Sequence, residues 1–290
     1  MKSSLRNIWS VLRVNQWVKN LLLLAAPAGA GVLLEPDSLV EILIALMSFS
    51  LGASALYIVN DITDLERDRA HAKKMNRPLA SGAISLGSAV ALGVLCAAVA
   101  LGLAWAFLPS AFLWVLAAYA INTLLYTWWG KHIPIVDVMQ VALGFVLRAV
   151  AGAAATSVPL SQWFMAAAMF GSLLMVSGKR SSELDNVGDD GSTRRVLSAY
   201  SSEYLHQIMV ISAAALLLTY ALWALGDTEA PINAPWALIS FAPFVYSVFR
   251  YMYLSDSGDA EQPEQLLVKD RGLQLGALTW VVTIGIGIYA

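Results

Sequence analysis

The segment Asn60-Asp61-Ile62-Thr63-Asp64-Leu65-Glu66-Arg67-Asp68-Arg69-Ala70-His71 packs several oxygen donors and one imidazole into a short stretch. A helix turns by about 100° per residue, so a helix running through it puts Asn60, Asp61, Asp64, Asp68 and His71 on one narrow face. Such a face repels itself unless a cation neutralises it. Hard oxygen ligands without thiolates or a histidine cluster suit Mg²⁺, which is usually held by a few carboxylates and completed by substrate phosphates. The expected chemistry is Mg²⁺-dependent work on a diphosphate. Asp61, Asp64 and Asp68 are then the catalytic carboxylates, and Asn60 joins them as a metal ligand. The alternative is a solvated helix end whose acids pair with Arg67, Arg69 and Lys73. An EF-hand is excluded, because the glycine and the terminal glutamate at ligand spacing are missing.

Basic residues follow at once: Lys73, Lys74 and Arg77, then Pro78 and Ser81-Gly82. Beside a metal-bound diphosphate they would stabilise departing pyrophosphate. Alternatively they hold anionic lipid headgroups. Arg77, next to a proline that fixes the backbone, is the stronger ligand candidate.

A second charged stretch opens with Gly178-Lys179-Arg180-Ser181-Ser182-Glu183 and ends with Arg194-Arg195 and Tyr200 to Tyr204. Lys179, Arg180 and Glu183 share a helical turn. A lysine beside an arginine suits a phosphate, the first as a point charge and the second as a fork. The competing reading is a plain topological bias of basic residues. Within apolar stretches, Asp137, Gln140, Gly144 and Arg148 share one helix face, and Tyr119, Asn122 and Tyr126 share another. Ionisable groups there point into a protein interior or an aqueous cavity. For Arg148, a phosphate ligand and a structural contact between helices remain equal alternatives.

The elements that position these residues must be membrane helices. Of 290 residues, 58% are hydrophobic and 13% charged, and mean hydropathy is +0.66. Soluble domains carry about a quarter charged residues. One cysteine excludes an intramolecular disulfide scaffold, and a net charge of −2 gives no basic field for nucleic acid. About 20 apolar residues cross a bilayer, which gives about nine spans. They are Trp17–Leu34, Leu39–Val59, Ile84–Leu108, Ala111–Trp129, Ile133–Ala155, Ser161–Ser177, Leu205–Leu225, Pro235–Leu254 and Gly272–Ala290. The basic run before Trp17 imitates a signal peptide, with Ala28-Gly29-Ala30 as its cleavage site, but Trp17–Leu34 serves as a first span. Apart from Arg148, the 18 basic residues lie in the connections on one side of this topology or, for Lys19 and Arg250, near the span ends on that side. By the positive-inside rule that side, with the N-terminus, is cytoplasmic. Residues 1–290 then form a single all-α polytopic domain. Its cytoplasmic loops, about 60–83 and 178–204, lie four helices apart, which hints at a duplicated four-helix half plus a ninth helix.

Asn60-Asp61…Asp64…Asp68 with Arg77-Pro78 and Ser81-Gly82, after the second of nine helices, resembles the UbiA superfamily of membrane prenyltransferases. Several further stretches resemble its decaprenyl-phosphate phosphoribosyltransferase branch. They are Gln16-Trp17-Val18-Lys19-Asn20, Lys131…Ile133-Pro134…Val136-Asp137-Val138, Gly144 to Gly152, Gly178-Lys179-Arg180…Glu183-Leu184, and Arg194-Arg195…Tyr200…Tyr204-Leu205. The likeness runs from about Arg13 to Leu205. Ordinary members carry a second aspartate-rich motif where this chain has Lys179, Arg180 and Glu183; Asp185, Asp189 and Asp190 lack its spacing. In the family pattern Arg-Pro stands directly before Gln-Trp, whereas here Val14 and Asn15 intervene, and Arg13 receives no role.

The resemblance implies a UbiA-like bundle in the inner or plasma membrane, with its active site facing the cytoplasm. It implies Mg²⁺-dependent transfer of 5-phosphoribosyl from 5-phosphoribosyl 1-diphosphate to a polyprenyl phosphate, releasing pyrophosphate, for cell-envelope arabinan precursors. Candidate substrate ligands are Lys19, His71, Lys74, Arg77, Asn122, Tyr126, Lys131, Asp137, Arg148, Lys179, Arg180 and Glu183. Two rivals predict other outcomes. A UbiA-type prenyltransferase would join a polyprenyl diphosphate to an aromatic acceptor, and a transporter would give no covalent product. A homo-oligomer is left open.

Overall fold

The computed structural model describes residues 2–71, 74–185, 196–226, 232–258, 266 and 269–290. Among these residues there is no strand. Helix α1 is Lys2–Val11. A 3₁₀ segment, Val14–Leu24, runs into α2, Ala25–Gly29. Then come α3 (Pro36–Thr63), the short α4 (Leu65–Arg69), α5 (Leu86–Phe107), α6 (Ser110–Trp128) and α7 (Val136–Ala155). The remainder are α8 (Gln162–Asp185), α9 (Ser202–Leu225), α10 (Ala234–Asp256) and α11 (Arg271–Tyr289).

Among the described residues, seven helices are long and apolar enough to cross a membrane: α3, α5, α6, α7, α9, α10 from Pro235 onward, and α11. The other two expected spans differ in instructive ways. Helix α8 continues past Ser177 to Asp185, so Lys179, Arg180 and Glu183 stand on a helix and not in a loop. The first span is wound mostly as 3₁₀ helix, where an ordinary α-helix was expected. A 3₁₀ helix rises about 2.0 Å per residue against 1.5 Å, so Val14–Gly29 reaches about 30 Å, the depth of the hydrocarbon layer, in fewer residues.

That segment is stapled to its neighbours. Asn20 is fully buried; its Nδ2 donates to Ser50 Oγ at 2.8 Å, and its Oδ1 accepts from Arg148 Nε at 2.9 Å. Trp17 Nε1 donates to Ser54 Oγ at 3.0 Å. The backbone itself lies against α7: a Cβ on Gly152 would sit 1.8 Å from Leu23 O. Only a residue without a side chain allows that approach. Leu23, Phe49, Phe112, Tyr119, Ala151 and Ala155 fill the core between the 3₁₀ segment, α3, α6 and α7. Helix α7 also packs on α8, α8 on α9, and α10 on α11. Trp105 and Trp114 are 80% and 76% exposed on α5 and α6, as side chains facing lipid would be.

Candidate active site

The C-terminal ends of α3, α6 and α8 and the N-terminal end of α7 meet at one end of the bundle. The acidic helix does not run straight through, as the sequence periodicity suggests. Helix α3 stops at Thr63, Asp64 breaks the helical path at φ −93° and ψ 6°, and α4 begins at Leu65. Backbone bonds four residues back continue across the kink, from Asp64 N to Asn60 O and from Asp68 N to Asp64 O, and Asp61 and Asp68 keep a common face. Asp64 turns to Lys131, whose Nζ lies 2.6 Å from Asp64 Oδ1. Asp61 and Asp68 turn together to Arg77, whose Nη1 lies 3.1 Å from Asp61 Oδ1 and 2.5 Å from Asp68 Oδ2. Asp61 Oδ1 also pairs with Arg13 Nη2. Asn60 Oδ1 accepts from Thr127 Oγ1 at 3.2 Å. The neutralising cations are therefore the protein's own.

Arg13 is the residue that sequence reasoning left without a role. It holds a left-handed backbone, φ 50° and ψ 46°, just before the 3₁₀ segment. Non-glycine residues seldom adopt that conformation. Its guanidinium lies 5.2 Å from the centre of the Tyr57 ring and reaches Asp61 from there. The signal in the sequence was a lone arginine close before the first span, displaced from the family's Arg-Pro register.

A divalent cation can be tested against this arrangement. Two carboxylates converge on one cationic nitrogen, Arg77 Nη1. A position where a cation already bridges two carboxylates fits a hard metal ion in charge and donor type. Among the described residues, no three His, Cys, Asp or Glu side chains form a ready cage. The donors present thus fit an ion whose coordination is completed by a substrate's oxygens.

The second arm is built differently. Arg180 and Asp137 are buried, at 3% and 0% side-chain exposure, with Arg180 Nε 3.2 Å from Asp137 Oδ2. Arg180 Nη1 donates to Glu183 Oε2 at 2.6 Å, and Nη2 lies 3.5 Å from Tyr126 Oη. Arg180 thus ties α8 to α7 and α6. Lys179 is the more open cation, 33% exposed, with Nζ 3.8 Å from Glu183 Oε1. Tyr200 completes the arm. It donates to Asp137 Oδ1 at 2.6 Å and accepts from the Ile135 N–H. Ile135 has φ 69°, a rare conformation for a β-branched residue. Burial and the bond to Asp137 push the Tyr200 phenol well above its ordinary pKa, so it stays a proton donor. The two arms touch through neighbours on α6: Thr127 reaches Asn60, while Tyr126 reaches Arg180.

The structure does not bring every candidate to this end. Arg148 is buried and fully engaged: Nε to Asn20, Nη1 to Gly144 O at 2.7 Å and Nη2 to Tyr119 Oη at 2.9 Å. Asn122 Nδ2 donates to Gln140 O at 3.0 Å, an interhelical tie. These bonds favour the structural alternative for both. Lys19 is half-buried on the 3₁₀ segment, His71 follows α4, and Lys74 opens a 3₁₀ turn, Lys74–Asn76. Lys73, Asp189, Asp190, Arg194 and Arg195 lie outside the described residues, as does the side chain of Asp185.

Apolar helices around a charged, acid-containing end define a multi-pass, all-helical membrane protein with a site at one end of its bundle. The model of the UbiA prenyltransferase family matches residues 22–275, and the chain belongs to that family. It is 39% identical over 285 residues to the decaprenyl-phosphate phosphoribosyltransferase of Corynebacterium glutamicum, covering 96% of this chain and 85% of that one. It is also 39% identical over 282 residues to the Mycobacterium tuberculosis protein of the same name, covering 96% and 92%. Among solved structures, a UbiA homolog from Archaeoglobus fulgidus bound to DMAPP and Mg²⁺ superposes with a TM-score of 0.73 at 18% identity, covering 97% of this chain and 98% of that one. That last likeness establishes the fold.

Proposed function

We propose that this protein transfers the 5-phosphoribosyl group of 5-phosphoribosyl 1-diphosphate to a polyprenyl phosphate, releasing pyrophosphate. The observation that carries the reading is the unlike pair of arms. Three carboxylates of one arm face a second arm bearing Lys179, Arg180 and Glu183 in place of an aspartate motif. A diphosphate calls for the carboxylate arm, and Lys179, the more exposed cation of the second arm, offers a place for a second phosphate. The names of the full-length relatives agree with this assignment.

Asp61, Asp68, Asn60 and Asp64 would hold Mg²⁺. The ion would supply charge neutralisation on the departing diphosphate. Arg77, Arg13 and Lys131 line the same place, where they would bind and orient diphosphate oxygens and stabilise the charge that develops as the C1–O bond breaks. The acceptor's phosphate oxygen forms the new bond to C1 from the opposite face, with inversion. That phosphate is already anionic near neutral pH, so no side chain has to remove a proton. Lys179 would meet a substrate phosphate, while Arg180 and Tyr200 keep the second arm in place. His71, Lys74 and Lys19 are further candidate contacts to the phosphates.

In this reading residues 1–290 form one domain in the plasma membrane. The site faces the cytoplasm, the side that receives all the basic residues except Arg148. The lipid product would supply arabinan precursors of the cell envelope. The deciding experiment follows labelled 5-phosphoribosyl 1-diphosphate into the lipid phase, using lipid-reconstituted protein, Mg²⁺ and a polyprenyl phosphate. Label in the lipid, dependent on Mg²⁺, supports the reading. No label, with coupling of an allylic diphosphate to an aromatic acid in a parallel reaction, would replace it with ordinary prenyl transfer.

A further inference from the structure

Carboxylates Asp61, Asp64 and Asp68 meet at least three cations from three separate places in the chain: Arg13 before the first span, Arg77 after α4 and Lys131 after α6. Asp61 is touched by two of them, and Arg77 bridges Asp61 to Asp68. The negative charge of the cluster is thus already matched. This is the reverse of an ordinary cation site, where unmatched acids attract the ion.

We propose that Arg13, Arg77 and Lys131 act as internal counter-ions that exclude a bare divalent cation, so that the cation enters only together with a diphosphate. The inference rests on the metal–diphosphate reading of this site and adds the order of events and a role for Arg13. A bare dication entering here would have to displace guanidinium nitrogens from Asp61 and Asp68. It would leave those cations stranded next to a doubly positive ion in a partly buried place, where charge repulsion is poorly screened. A diphosphate removes that conflict. It brings negative charge for the metal and offers oxygens to Arg13, Arg77 and Lys131, which then exchange carboxylate partners for phosphate partners. Metal and diphosphate affinities are therefore coupled, each strengthening the other by the same factor.

Arg13 is the informative member. The half-buried Arg13 guanidinium lies over Tyr57 and on Asp61, and its backbone keeps a left-handed conformation to put it there. A strained backbone conformation of this kind persists where surrounding contacts over-determine it. Removing the guanidinium should uncover Asp61 for a bare cation.

The test is equilibrium dialysis of the full chain in phosphatidylcholine nanodiscs, with empty discs as baseline. The probes are Mn²⁺ alone and Mn²⁺ with inorganic pyrophosphate, and both metal and phosphorus are counted in the protein compartment. In the wild-type protein pyrophosphate should tighten Mn²⁺ binding at least about tenfold. Arg13→Gln should tighten binding of Mn²⁺ alone about three- to tenfold and shrink the effect of pyrophosphate, while Arg13→Lys keeps the wild-type pattern. Equal Mn²⁺ affinity with and without pyrophosphate in the wild type would overturn the proposal and leave the metal–diphosphate site standing. So would Arg13→Gln binding Mn²⁺ alone no better than wild type. If Arg13→Gln elutes aggregated, the wild-type comparison and Arg13→Lys still decide. Retention of neither metal nor phosphorus under any condition would remove the underlying site assignment itself.

Discussion

Lys131 Nζ lies 2.6 Å from Asp64 Oδ1, across 67 positions of sequence. The contact ties the turn between α6 and α7 to the break between α3 and α4. Both groups are largely shielded, at 12% and 20% side-chain exposure. A charge-assisted bond in such a setting is strong enough to fix the direction of the Asp64 carboxylate. With Asp64 held by Lys131, Asp61 and Asp68 share Arg77.

Replacing Asp64 by asparagine keeps the shape and removes the charge. Phosphoribosyl transfer should fall at least about 100-fold, the usual cost of losing one preorganised electrostatic group at a reacting centre. The thermal midpoint should fall by only a few degrees, because the asparagine carbonyl oxygen can still accept from the Lys131 ammonium. Activity of purified Asp64→Asn at saturating Mg²⁺, measured beside its melting curve, checks this. Near wild-type turnover would take Asp64 out of the site.

The sequence made much of this legible, and its failures have physical reasons. Composition and hydropathy gave the spans because bilayer thickness fixes helix length. The acidic segment stood out because charge beside a membrane helix is costly without a use. What it hid were the pairings. Helical periodicity assumes an unbroken helix, and nothing local to Asp64 announces the break. Lys131 and Arg13, which take up the carboxylates, are far away in the chain. Arg180 and Lys179 are adjacent in sequence, yet one is buried and the other open, a distinction set by how α8 lies on α7. The 3₁₀ winding before Leu24 is likewise imposed by contacts with Ser50, Ser54, Arg148 and Gly152.

Those contacts predict a stability phenotype away from the site. Gly152→Ala would push a methyl group into Leu23 O, a backbone atom with little room to move. Overpacking of this kind costs about 1–3 kcal/mol or more. Arg148→Met would strand Asn20 Oδ1 and the Tyr119 hydroxyl in the core. Both variants should melt several degrees below wild type in detergent, while the fraction that stays folded keeps its donor KM. A raised donor KM for Arg148→Met at unchanged stability would restore Arg148 as a phosphate ligand.

A pH effect is expected at the start of α11. Arg250 donates to both oxygens of Asp270, at 3.1 and 2.7 Å, and Asp270 caps the helix by accepting from the Leu273 N–H. The bond from Arg250, then that from Leu273, holds the Asp270 carboxyl down to about 2. An unfolded aspartate titrates near 3.9. Because the folded-state value is the lower one, the contribution is complete above about pH 4 and fades as pH falls toward 2. It is small, since the pair is solvent-accessible. The gap between melting curves of wild type and Asp270→Asn should be full at about pH 6, about half as large near pH 3, and closed only as pH falls below about 2. Coincident curves at every pH would assign the role of Asp270 to capping alone, which asparagine shares.

The second arm separates a binding lysine from a structural arginine. Lys179→Ala removes a partly exposed charge, 3.8 Å from Glu183, and leaves Arg180 in place. It should raise the KM of one phosphate-bearing substrate by about tenfold, the scale of one lost charge-assisted contact, with little change in melting. Arg180→Ala leaves Asp137 and Glu183 without the cation between them, at 0% and 19% exposure. Breaking a buried pair from one side costs about 3–5 kcal/mol, because the surviving charge stays buried. This variant should lose stability first and activity only as a consequence. Arg180→Lys should recover part of the stability but not the three-way contact to Asp137, Glu183 and Tyr126, since an ammonium lacks the planar fork. Steady-state kinetics for both substrates and melting curves on the three variants decide the matter. A stable Arg180→Ala with a raised KM would make Arg180 the phosphate ligand, and unchanged kinetics in Lys179→Ala would return Lys179 to a topological role.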